Sequence, residues 1–136
     1  MLRVIAVFIF FTLHLHADNL YVVVAKDYDF ESINSEQVRS LFIGKSKELA
    51  GISLLPVVCT EQPDHDQFMQ RVVRKSSWQF ERHWKKMLFT GKATMPEKVG
   101  SKSELYELIK RDHHRVGFAL IATPETDELS FIRIRF

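Results

Sequence analysis

The run Leu20-Tyr21-Val22-Val23-Val24-Ala25 sets the fold class. Three adjacent valines without polar alternation suit a strand buried on both faces, as in sheets that carry helices on either side. N-terminal to it lies MLRVIAVFIFFTLHLHA, with a basic residue at Arg3, an apolar run from Val4 to Leu13 and a small residue at Ala17. This pattern predicts a secretory signal peptide over residues 1–17, cleaved after Ala17. The competing reading is a buried N-terminal strand; His14 and His16 just before the cut, and Leu15 rather than alanine at the minus-three position, depart from the signal-peptide pattern. An apolar stretch of about ten residues falls short of the roughly twenty that cross a bilayer, so no stable membrane insertion is expected after cleavage. The expected location is periplasmic or secreted, with residues 18–136 forming one α/β domain.

C-terminal to the valine run, the loop KDYDFESI leads to Asn34-Ser35-Glu36-Gln37, which opens a helix. Val38, Leu41 and Phe42 share one face of it, and Gly44 lies just past its end. ISLLPVV, from Ile52 to Val58, reads as a second strand in which Pro56 removes a ladder donor and argues for an edge or a bulge. A helix is expected from Asp64 to Arg74, with Phe68 and Val72 one turn apart. Another runs through SSWQFERHWKKMLF, where Phe80, Trp84 and Leu88 recur at helical spacing and both tryptophan-phenylalanine pairs read as core wedges. After the turn-rich FTGKATMPEKVG, a last helix starts at Ser101 with Leu105, Leu108 and Ile109 inward. VGFALIA and LSFIRIRF close the chain as strands. The order β, α, β, α, α, α, β, β predicts an α/β sandwich rather than a helical bundle.

Composition excludes several classes. At 136 residues and 46% hydrophobic content the chain has the make-up of one globular domain. Its single cysteine, Cys59, permits no disulfide within the chain and is expected as a small buried residue at a strand end. The net charge of +2 is unevenly spread: 26–66 holds four basic and eight acidic residues, 67–102 nine basic residues against Glu81 and Glu97. RVVRK and RHWKK fall on amphipathic helices behind an export signal, so this segment reads as solvated helix surface, and no nucleic-acid partner is expected.

Thr60-Glu61-Gln62-Pro63-Asp64-His65-Asp66 joins the second strand to a helix start, the place where many proteins hold an anion. Two carboxylates around His65 would suit a metal instead. Helix starts repeat one pattern: Asn34 with Gln37, Asp64 with Gln67, Ser76 with Gln79 and Ser101 with Glu104 each place a cap residue three positions before an acid or amide. Asp64 is thereby expected as an N-cap, with Asp66 favouring the positive end of the helix dipole. Asp112, His113 and His114 could join His65 or His83 around a metal only by tertiary convergence, so no metal and no cofactor are assigned. No nucleophile elbow, HExxH, Walker loop or dinucleotide fingerprint occurs, and no enzymatic activity is expected.

LFIGK after the first helix, PVVCTEQPDHDQF, W-x5-W-x3-LFTGK-x3-P from Trp78 to Pro96, and VGFAL together resemble small exported proteins of the phosphate-binding-protein-like group. These are related to the substrate-binding components of phosphate ABC transporters. The resemblance spans about residues 21–122 and is most specific from Trp84 to Pro96 and at Gly117-Phe118. It implies a single periplasmic-binding-protein-like lobe, a mixed sheet flanked by helices, that binds a small anion such as phosphate weakly in envelope transport or sensing. A lone lobe covers only one side of a ligand. Where phosphate receptors resemble a Ser-Gly-Thr element, this chain has Gln62, Pro63, Asp64, His65 and Asp66. Two carboxylates within about 6 Å of a phosphate each cost on the order of 1 kcal/mol or more at an effective dielectric of about 20. The site residues the resemblance implies are Thr60, Gln62, Asp64 and His65, with Arg71 as a counter-charge; of these Thr60, Gln62 and protonated His65 can donate. The alternative is an accessory protein that keeps the lobe as a scaffold, has lost ligand binding, and docks on an envelope partner through its basic surface from Arg71 to Lys102.

Overall fold

Val22, Val23 and Val24 are fully buried in β1 (Tyr21–Ala25), which lies inside a six-stranded sheet. The computed structural model describes residues 19–28, 30–91, 94–121 and 127–136; the expected signal peptide over 1–17 lies outside them. Along the chain follow β2 (Ile33–Asn34), α1 (Ser35–Phe42), a small hairpin of β3 (Glu48–Leu49) and β4 (Ile52–Ser53), and β5 (Leu55–Cys59). Next come α2 (Asp64–Phe68), which continues as a π-helical turn over Met69–Val73, then α3 (Ser77–Phe89), β6 (Glu97–Val99), α4 (Lys102–Arg111), β7 (Arg115–Ala119) and β8 (Leu129–Arg135). The sheet order is β2-β8-β1-β7-β5-β6. β1 is antiparallel to both neighbours, whereas β2 with β8 and β5 with β6 and β7 run parallel, so β1 alone opposes the other five. The expected α/β lobe, a mixed sheet flanked by helices, is what forms.

Strand alternation divides the core between the two faces. Val23 sits between Phe131 and Gly117 in register, and that row faces α4: Tyr106 meets Phe131 edge-on, and Leu105 packs on Gly117. A Cβ on Gly117 would stand 2.5 Å from Leu105 Cδ1, so the glycine is what lets α4 approach the sheet. The adjacent row of Ile132, Val22 and Phe118 faces the other way. There Phe118 stacks on Phe68 at 3.8 Å between ring centres, and Phe42 meets both edge-on.

Gly44 illustrates how LFIGK is used. Its φ of +79° ends α1 in the left-handed region, and a Cβ there would reach Trp84 Cη2 at 2.8 Å. Trp84 Nε1 donates to the Phe42 carbonyl at 3.2 Å, and His83 Nε2 donates to the Ile43 carbonyl at 2.6 Å. Two residues of α3 thus satisfy carbonyls that the end of α1 leaves open.

Several expectations need correction. ISLLPVV is not one strand: it breaks at Leu54, and Ile52-Ser53 pairs back on Glu48-Leu49. β5 is an interior strand, yet Pro56 is tolerated for a local reason. Leu55 N-H donates to His114 on the β7 side, so the nitrogen of Pro56 faces the other side, where β6 pairs only from Val57 onward. Leu88 is 45% exposed, because the inward stripe of α3 passes from Trp84 to Met87. Of the two tryptophan-phenylalanine pairs, Phe80 and Trp84 are core, whereas Trp78 and Phe89 lie outside. The capping pattern is complete at Asn34/Gln37 and Ser76/Gln79. At Ser101 the hydroxyl accepts from Glu104 N-H, while the Glu104 carboxylate accepts from Gly100 N-H. At the fourth start Pro63, not Asp64, occupies the cap position, and the cap residue itself makes no side-chain hydrogen bond.

Candidate functional site

With β1 reversed, the carboxyl ends of β5, β6 and β7 lie along one sheet edge, and α2 and α4 begin there, following β5 and β6. Open α/β sheets hold ligands at this edge, where helices leave on opposite faces. Thr60 and Gln62 lie there in the loop after β5, and Asp64 and His65 open α2. Arg71 lies further on, its guanidinium 4.6 Å from the centre of the Phe136 ring.

The loop's polar groups turn toward each other. Thr60 N-H donates to the Val99 carbonyl at 2.9 Å, and its hydroxyl donates to the same oxygen at 3.3 Å. Gln62 Nε2 donates to Asp66 Oδ1 at 2.9 Å, while Gln62 Oε1 accepts from Asp66 N-H at 3.1 Å, closing the first turn of α2 from outside. His65 Nδ1 stands 3.5 Å from Gln62 Nε2 and 3.7 Å from the Asp66 carboxylate. Of the donors expected for an anion, those of Thr60 and Gln62 are directed to partners within the protein.

Asp64 does something the cap pattern did not anticipate. Only 1% exposed, it is the one buried charged residue among the described residues. Its Oδ2 accepts from Leu120 N-H, just past the end of β7, at 3.0 Å, and its Oδ1 lies 3.5 Å from Lys102 Nζ. Gln67 N-H, which an N-cap aspartate would have satisfied, donates to the Pro63 carbonyl instead. Glu61 completes the arrangement: its Oε2 accepts from Lys102 N-H, at the first residue of α4, at 2.8 Å. Two backbone N-H groups and an ammonium point at one strand-end crevice, which is chemistry suited to an oxyanion. The carboxylates of Glu61, in the loop, and Asp64, at the start of α2, occupy these donors. Beneath them Cys59 is buried, and loss of hydration pushes its thiol pKa up, with the nearby Glu61 and Asp64 charges acting in the same direction.

Glu61, Lys102 and Leu120 were not singled out from sequence. The pairs they form join residues 41 and 56 positions apart, and no local pattern encodes such a meeting.

A cleft of about 680 Å³ opens at the amino ends of β5, β6 and β7, lined by Lys47, Leu55, Trp84, Met95 and Arg115 among others. Arg115 is already neutralised there by Glu97 at 2.7 Å and Asp112 at 2.9 Å, and the hydrogen bond from Arg115 holds the Asp112 carboxyl below its usual range. Histidines disperse: His113 pairs with Asp27 at 2.8 Å, far from the roles of His65 and His83. Among the described residues no three His, Cys, Asp or Glu side chains converge to hold a metal, and no helix is long and apolar enough to cross a membrane. Neither a protein-family model nor a curated protein matches the sequence.

Proposed function

We propose that the protein is an exported, non-enzymatic interaction protein of the cell envelope, in which a lobe of the solute-binding type serves as a scaffold rather than as a receptor. One observation carries this reading: Glu61 and Asp64 hold the Lys102 and Leu120 N-H groups that an oxyanion would need. An anion entering the crevice must displace a carboxylate already in place, or lie beside two of them. Intramolecular carboxylates have the advantage that their positioning entropy is met in folding, whereas a free anion meets it on binding. The apolar leader of residues 1–17 supports export, and the resemblance of LFIGK, Trp84 to Pro96 and VGFAL to phosphate receptors supports descent of the lobe from such a protein.

Calorimetric titration of the full chain with phosphate and with sulfate, at up to tens of millimolar, tests the reading. No saturable heat is expected. A saturable response that disappears in Thr60→Ala or His65→Ala would restore the receptor function and discard the scaffold.

A further inference from the structure

Helix α3 carries an outer face that the core does not explain. Trp78, Arg82, Lys85 and Phe89 fall within an arc of roughly 60° on a helix of 3.6 residues per turn. They lie opposite Phe80, Trp84 and Met87, which face inward. Trp78 is 66% and Phe89 94% exposed, and they stand about 16 Å apart along the axis at 1.5 Å per residue. A merely solvated face has no need of two large aromatics in water. Arg82 lies 5.2 Å from the centre of the Trp78 ring. Beside the stripe, Lys75, Gln79, Arg82 and Lys86 border a shallow open groove. The charge is of one sign. Glu81, the only acid on the helix, is paired with Lys98, and Arg74 with Glu36, whereas among the described residues Lys75, Arg82, Lys85 and Lys86 have no carboxylate partner.

Cations between exposed aromatics on a convex helix are what an interfacial helix presents to a bilayer: the cations meet lipid phosphates and the aromatics enter the headgroup boundary. An acidic protein could match the charge, but it would need two apolar pockets at the fixed spacing of Trp78 and Phe89. A fluid bilayer receives both anywhere.

We propose that the outer stripe of α3, Trp78, Arg82, Lys85 and Phe89 with Lys75 and Lys86 at its margin, docks the protein on an anionic phospholipid surface. This rests on the envelope-interaction reading above and names the partner's chemistry. The docking is peripheral and electrostatic at first contact, with Trp78 and Phe89 fixing depth.

Vesicle flotation of the full chain tests it, comparing pure phosphatidylcholine with phosphatidylcholine containing one-third phosphatidylglycerol. Residues 1–17 are common to every variant, so the readout is the ratio between the two vesicle types. The wild type is expected to favour the anionic vesicles, less so in high salt. Lys85→Glu with Lys86→Glu should lower partitioning onto them by about 25-fold or more, from roughly fivefold per basic residue removed. Phe89→Ser should weaken binding to the anionic vesicles at unchanged charge. All these positions are exposed, and unchanged circular dichroism certifies the fold. Equal partitioning of the wild type on both vesicles, or full binding by the charge-reversed variant, would overturn the proposal, as would a protein partner captured through Lys85 and Lys86 with no vesicle preference. Saturable phosphate binding with vesicle preference intact would discard the scaffold reading and leave the docking face standing.

Discussion

Replacing Asp64 by alanine removes a carboxylate that is 1% exposed and leaves the Leu120 N-H without its acceptor at the end of β7. A buried donor left unpaired costs about 1–3 kcal/mol. The attraction to Lys102 at 3.5 Å adds about 1 kcal/mol at most, since the lysine side chain is 33% exposed and screened by solvent. Part of the sum is returned because the variant no longer buries a charge, so the net loss should be about 1–3 kcal/mol. For a domain of this size, at about 4 °C per kcal/mol, the thermal midpoint falls by about 4–12 °C. Asp64→Asn keeps an oxygen for the Leu120 N-H and loses only the charge, so about 1 kcal/mol and roughly 4 °C are expected. Thermal melts followed by far-UV circular dichroism measure both. The same melts with added formate test whether the crevice is an anion position filled from within. At ten times its dissociation constant formate should return about 1.4 kcal/mol to the alanine variant and nothing to the wild type. A midpoint for Asp64→Ala within about 2 °C of the wild type, or equal stabilisation of both proteins by formate, would refute the reasoning.

Two further outcomes follow from the packing and the charges. Gly117→Ala sets a methyl 2.5 Å from Leu105 Cδ1 and 3.0 Å from its Cγ on a fully buried side chain, so overpacking should cost about 1–3 kcal/mol in urea denaturation; adding Leu105→Ala should cost less than the sum of the two single changes, and strict additivity would contradict the contact. Asp112, with its carboxyl pKa held below the ordinary value of 3.8 by the hydrogen bond from Arg115, stabilises the fold at neutral pH and loses that contribution as pH falls through its folded pKa, below about 4; the stability gap between wild type and Asp112→Asn should therefore close between pH 5 and pH 2, and a gap that stays constant over that range would remove Asp112 from the account.

How much of this was legible in the chain depends on the range of the interaction concerned. LYVVVA announced a strand covered on both faces because β-branched residues without alternation leave no face for water. Asn34, Ser76 and Ser101 announced helix starts because a cap and its partner lie three residues apart. Gly44 marked a helix end because only glycine takes the left-handed conformation without strain. The hairpin at Glu48 to Ser53 and the short β6 escaped notice because two or three residues carry no periodicity. The outward position of Trp78 and Phe89 was missed because hydrophobicity was read as burial, although their helical phase already opposed Phe80 and Trp84.

The candidate site divides along the same line. That TEQPDHD joins a strand to a helix start was determined by sequence alone, since it follows from residue types in local order. Only the tertiary structure decided what the carboxylates of that stretch do. Reversal of β1 and the parallel pairing of β5 with β6 and β7 bring Lys102 and Leu120, from two other strand ends, to Glu61 and Asp64. The energy of a buried carboxylate depends on donors supplied by distant segments, and a linear sequence does not state their distance.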